Sequence, residues 1–191
     1  MTIVELLLAL VITSLVALAT GMMMVGVSYG STSKSQMREV GVRLKTTTER
    51  LNAALRSSKM ILATGTDYLV LWTGDSRADD GPNLSELRLI ERDADTGELR
   101  SYAADFGVMT DAQIEGVDTL YSLTDDFHTL TTALKAGTLF TATVWAKHVT
   151  AFACTHAGAD PQAASLINYR LTVTLDGLSE QGVESVALRN H

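Results

Sequence analysis

The sequence predicts an α+β chain: a long N-terminal helix, hydrophobic and then amphipathic, packed on an antiparallel β-sheet head. Three observations predict it. No charged residue occurs between Leu6 and Ser33; apolar residues recur at helical spacing from Met37 to Leu62; and beyond Leu62 the chain breaks into short strand-like runs separated by turn residues. The 191 residues therefore divide into a hydrophobic helix over 1–33, a basic stem over 34–62 and an acidic β-rich head over 63–191.

The first element is apolar enough for a bilayer. Leu6 to Val27, at about 1.5 Å per helical residue, would reach roughly 33 Å, the thickness of a hydrocarbon core. A signal peptide would open with a basic region, but Met1-Thr2-Ile3-Val4-Glu5-Leu6 contains no Lys or Arg. All nearby cations lie on the C-terminal side, against the positive-inside pattern for an exported head. Two expectations remain open: a cytoplasmic head, or a basic leader that preceded Met1 and was removed. Gly21, Gly26 and Gly30 loosen the helix by about 1 kcal/mol each relative to Ala. They are read either as places where two helices approach closely or as a soft spot.

The stem follows. Met37, Val40, Leu44, Leu51, Leu55 and Leu62 fall at steps of three, four or seven, with Thr47 and Ser58 in the gaps, so one stripe is apolar and packs on the head. Lys34, Arg38, Arg43, Lys45, Arg50, Arg56 and Lys59 face only Glu39 and Glu49, a local balance of plus five. From Leu62 onward eight basic residues oppose nineteen acids, a balance of minus eleven. The stem cations are either a solvated face or contacts for the acidic heads of neighbouring subunits. The acidic head argues against nucleic-acid binding, which needs surplus Lys and Arg.

In the head, Tyr68–Trp72, Glu86–Glu91 and Glu98–Tyr102 read as strands, with Asp95-Thr96-Gly97 as the turn between the last two. Thr124-Asp125-Asp126 supplies N-cap chemistry for a short helix carrying Phe127, Leu130 and Leu134 on one face and stopping at Gly137. Thr138 to Cys154 contains two strands, Ile167 to Leu175 another, and Val183 to Arg189 the last. Cys154 is the only cysteine, so no disulfide closes the head.

Glu5 is the residue that demands a function. An unpaired carboxylate one turn inside an apolar helix costs a few kcal/mol and needs a partner; the free amine of a newly cut Met1 on a neighbouring copy is an obvious one. The run Met1-Thr2-Ile3-Val4-Glu5-Leu6-Leu7-Leu8-Ala9-Leu10-Val11-Ile12 resembles the start of a mature type IV pilin or type II secretion pseudopilin. The resemblance implies a basic leader cut by a prepilin peptidase, N-methylation of Met1, and pairing of Glu5 with the amine of an adjoining subunit. It also implies that Leu6, Leu7, Leu8, Leu10, Val11, Leu15, Val16 and Leu18 pack in a filament core, and that the glycine region could unwind when the subunit leaves the bilayer. The head, in layout and in its closing Ser185-Val186-Ala187-Leu188-Arg189-Asn190, is similar to the longer minor pilins and J-type pseudopilins.

Other constellations carry less. Asp75, Asp79, Asp80 and Glu86 around Gly81 offer hard oxygen ligands for calcium, but EF-hand spacing fails, and a solvated acidic loop is the competing reading. Cys154 and His156, with His148, could place sulfur and imidazole on one strand face, three ligands at best where structural zinc takes four. No nucleophile elbow, phosphate-cradling loop or zinc-protease helix is present, so no enzymatic activity and no cofactor other than that calcium are expected. The expected function is a structural subunit of a pilus-like filament. Its expected partners are other copies, other pilins, the inner-membrane assembly platform and the peptidase; it waits in the inner membrane and ends at the cell surface. The alternatives are a minor pilin or pseudopilin at a filament tip, and a single-pass anchored binding domain that does not polymerise.

Overall fold

The computed structural model describes residues 2–74, 81–107 and 109–188, without the side chains of 27–33. Helix α1 spans Ile3–Ser57, and the chain divides into two units, Met1–Glu39 and Val40–His191, each taken by itself. In the first unit, the apolar side chains from Ile3 to Val25 are exposed along every face of the helix.

The second unit is the head, and it fits the α+β class. Strands β1 (Met60–Thr64), β2 (Tyr68–Trp72), β3 (Leu87–Asp93), β4 (Glu98–Ala104) and β5 (Phe140–Ala146) form one antiparallel sheet in sequence order. Strands β6 (Val149–His156), β7 (Leu166–Leu175) and β8 (Leu178–Ala187) form a second. Backbone bonds join the two: Asp67 N–H donates to the Phe152 carbonyl (2.9 Å), Cys154 N–H to Gly65 (3.1 Å) and Val149 N–H to Gly97 (2.8 Å). Asp67 adopts φ +71° at this seam, and its carboxylate is held by Arg92 through Nε (2.5 Å) and Nη2 (3.1 Å).

The stem part of α1 lies on one face of both sheets. Val40, Leu44, Leu51 and Leu55 are buried there with Leu69, Leu71, Ile90 and Leu99 of the first sheet and Phe152, Ile167, Leu171 and Val173 of the second. The first sheet buries its other face as well. Val70, Trp72, Leu87, Leu89 and Phe140 pack beneath α3 (Phe127–Lys135), which contributes Phe127, Leu130 and Leu134. This double cover explains why Leu69 through Trp72 is a continuous buried run rather than an alternating one.

Several boundaries differ from the sequence expectation. The stem helix does not reach Leu62: the hydroxyls of Ser57 and Ser58 bond back to Ala54 and Leu55, the helix ends, and Leu62 lies in β1. Leu62 continued the helical stripe only because its position also suits an alternating strand. Met37, at the other end of that stripe, is 61% exposed; burial begins at Val40. Glu86 belongs to a 3-10 turn, Leu84–Glu86, and β3 starts one residue later. Strand β8 starts at Leu178 rather than Val183, because Asp176 and Gly177, at φ +50° and +83°, form a two-residue turn that pairs Leu175 with Leu178. A further helix, α2 (Asp111–Val117), has no buried residue and carried no apolar period to mark it.

Candidate functional site

The segment with the strongest chemical signal is the start of α1. Ile3–Gly26, 24 residues, is long and apolar enough to cross a membrane. Leu6, Leu7, Leu8, Leu10, Val11, Leu15, Val16 and Leu18 are all more than half exposed, so none packs within its own chain. The polar side chains in this stretch are satisfied locally. Thr13 donates to the carbonyls of Ala9 (2.7 Å) and Leu10 (3.1 Å), Ser14 to Val11 (2.9 Å), and Thr20 to Val16 (2.9 Å) and Ala17 (3.0 Å). Hydroxyls returned to their own helix cost little in an apolar medium.

Glu5 is the only charged side chain in that span. Its Oε2 accepts from the Thr2 N–H at 2.8 Å, while its own N–H approaches Thr2 Oγ1 at 3.4 Å. Thr2-x-x-Glu5 is therefore a capping box, a signal already present in the Thr/Glu spacing of the sequence. The cap brings the carboxylate to the positive end of the helix dipole, at the first residues of the chain. Met1 lies outside the described residues.

The backbone is helical through Gly21, Gly26 and Gly30. A Cβ built on Gly21 or Gly26 would meet nothing within 4 Å, so in the single chain these glycines leave open surface where another helix could approach.

Of the acidic residues expected for calcium, Asp75, Asp79 and Asp80 lie outside the described residues. Glu86 turns inward: its Oε2 accepts from Trp72 Nε1 (2.9 Å) and from the Asn83 N–H (3.1 Å), and the side chain is buried against β2. Cys154 is buried, which pushes its thiol pKa up. His156 Nδ1 lies 2.9 Å from Thr64 Oγ1, and His148 sits at the β5–β6 turn with φ +64°. Among the described residues no group of three or more His, Cys, Asp or Glu is placed to hold a metal.

Two of the stem cations have partners within the head. Arg50 donates to the Trp145 carbonyl (3.0 Å), and Lys59 sits 4.0 Å above the Trp72 ring. Lys45 meets Glu49 of its own helix at 4.0 Å on an exposed face, a contact of little energetic weight.

No family model, curated protein or solved structure matches the chain. The strongest functional signal therefore lies in the N-terminal residues, on a helix whose apolar side chains are exposed.

Proposed function

We propose that this chain is a structural subunit of a type IV pilus-like filament, held in the membrane by Ile3–Gly26 before assembly and acting by polymerisation rather than chemistry. The observation that carries the reading is Glu5: one carboxylate at the start of a helix otherwise free of charge to Ser33, on a segment whose apolar side chains find no partner in their own chain. A plain anchor needs the apolar segment but not the carboxylate, whose transfer into lipid costs a few kcal/mol. In a filament both have a use. The apolar side chains pack against neighbouring copies, and Glu5 meets the N-terminal amine of the adjoining subunit, which fixes axial register.

N-terminal mass spectrometry on the chain purified from its own membranes tests this directly. The expected first residue is an N-methylated Met1, and an uncut, longer N-terminus would overturn the reading. Isolated filaments then separate the two forms of the proposal. A chain that makes up most of the filament mass is the main subunit, whereas one found in trace beside another subunit is a minor pilin or pseudopilin.

A further inference from the structure

Two strands of the head end in an open edge among the described residues: β5 in the first sheet and β8 in the second. They lie on opposite flanks of α1. Arg50 reaches the β5 backbone at Trp145, whereas Asn52 Nδ2, well round the helix from it, donates to Glu184 of β8 at 2.6 Å. Exposed edges usually carry protection such as lysine, proline or an inward charge. β5, Phe140-Thr141-Ala142-Thr143-Val144-Trp145-Ala146, has none of these; a bulge at Trp145, whose carbonyl Arg50 holds, interrupts its far end, and Thr141 to Val144 before it is exposed.

The surroundings of the two edges are complementary. A groove between α1 and β5 is lined by Arg43, Arg50 and Lys147 with Val42 and Val144 and by no acid, although Arg50 already donates to the Trp145 carbonyl and Lys147 lies 3.3 Å from Glu98. β8 carries Glu180 and Glu184 and no Lys or Arg. Both acids point to the α1 side of their sheet: Glu184 bonds Asn52, and a Cβ on Gly41 would lie 3.2 Å from the Glu180 carboxylate. Each edge also exposes a valine, Val144 at 41% and Val183 at 66%.

We propose that the β8 edge of a second copy of this chain adds to the β5 edge of the first, bringing Glu180 to the groove of Arg43, Arg50 and Lys147 and Val183 beside Val144. Main-chain hydrogen bonds supply the adhesion, and the charges select the pairing. Because the contact joins two different surfaces on opposite flanks, it leaves a free β5 and a free β8 after each addition and propagates rather than closing as a dimer. It rests on the filament reading for its setting, but it is measured separately.

The test uses the full chain in its native membranes, as two differently tagged versions expressed together. One carries Ala142→Cys or Val144→Cys and the other Gln181→Cys or Val183→Cys, exposed positions on the two edge strands; Cys154 stays buried. Mild oxidation should give a reducible mixed dimer in at least one of the combinations, and a ladder when both cysteines are on one chain. Glu180→Lys should cut that yield about two- to fivefold, the scale of a rim ion pair. Intact filaments with no mixed dimer in any combination overturn the edge pairing alone, as do like-with-like dimers formed as readily as mixed ones. A mixed dimer without filaments overturns the filament reading alone, and the absence of both overturns the two together. A yield unchanged in Glu180→Lys overturns the role given to the charges.

Discussion

Glu5 holds a bond inside its own chain and, on the filament reading, a second one between chains, and two substitutions separate these roles. Gln at position 5 keeps an acceptor for the Thr2 N–H but loses the charge, whereas Ala loses both. If the carboxylate pairs with a neighbouring amine, Glu5→Gln and Glu5→Ala should both abolish filaments, as counted by electron microscopy of sheared material. If the cap alone matters, Glu5→Gln should retain them. Inside the head, Tyr169 and Cys154 predict an alkaline limit. The Tyr169 hydroxyl donates to Asn52 Oδ1 (2.8 Å) and lies 3.2 Å from Glu184, and burial with that nearby carboxylate raises its pKa above the ordinary 10.0. Burial likewise raises Cys154 above 9.0. Both groups hold their protons more tightly when folded, so their stabilising contribution is complete below the unfolded pKa and is lost as pH rises beyond it. Urea midpoints should therefore fall from about pH 9 upward, with part of the fall removed in Cys154→Ala. Tyr169→Phe should cost about 1–2 kcal/mol near neutral pH by the same measurement.

At the scale of elements, α1 contrasts buried and exposed positions on one helix. Leu51→Ala or Leu55→Ala, at sites fully buried against both sheets, should destabilise the head by about 2–5 kcal/mol in denaturant unfolding. Met37→Ala, on the same predicted stripe but exposed, should change it by less than about 0.5 kcal/mol. Gly81 ties two loops: a Cβ there would lie 2.2 Å from the Tyr121 carbonyl, so Gly81→Ala should cost about 1–3 kcal/mol and loosen the bond from Tyr121 N–H to the Pro82 carbonyl, read by amide exchange. What the sequence made legible follows the strength of local patterning. Tyr68–Trp72 is strand β2 from end to end, and Asp126 caps α3 as its neighbours suggested, accepting from the His128 and Thr129 N–H groups. The elements that were missed had weak or ambiguous periods. β1 is five residues whose Leu62 fits two spacings, and α2 is an exposed helix announced only by its Thr110-x-x-Gln113 cap. The division into two sheets depends on backbone bonds between residues far apart in sequence, which no local pattern encodes. At the N-terminus the position of Glu5 is legible, but its bond to Thr2 is less so, because in an apolar setting a lone carboxylate points to a charge partner before it points to a cap.

Across the molecule, every buried hydrophobic residue among the described residues lies between Val40 and Val186. A chain beginning at Met37 should therefore fold without the N-terminal segment, keep a single cooperative thermal transition by calorimetry, and stay soluble. A precipitating or unfolded fragment would show that the first unit contributes to the head's stability. The exposed segment carries a thermodynamic consequence of its own. Nine side chains, Leu6, Leu7, Leu8, Leu10, Val11, Ile12, Leu15, Val16 and Leu18, are all at least 54% exposed. Taking each from an apolar medium into water costs about 1.5–3 kcal/mol at full exposure, so at 54–64% exposure the set amounts to roughly 8–16 kcal/mol. Partition odds on that scale exceed about a hundred thousand to one. A lone copy beside a bilayer thus spends a negligible share of its time in water, and on the filament reading this segment passes from lipid to protein without a watery interval.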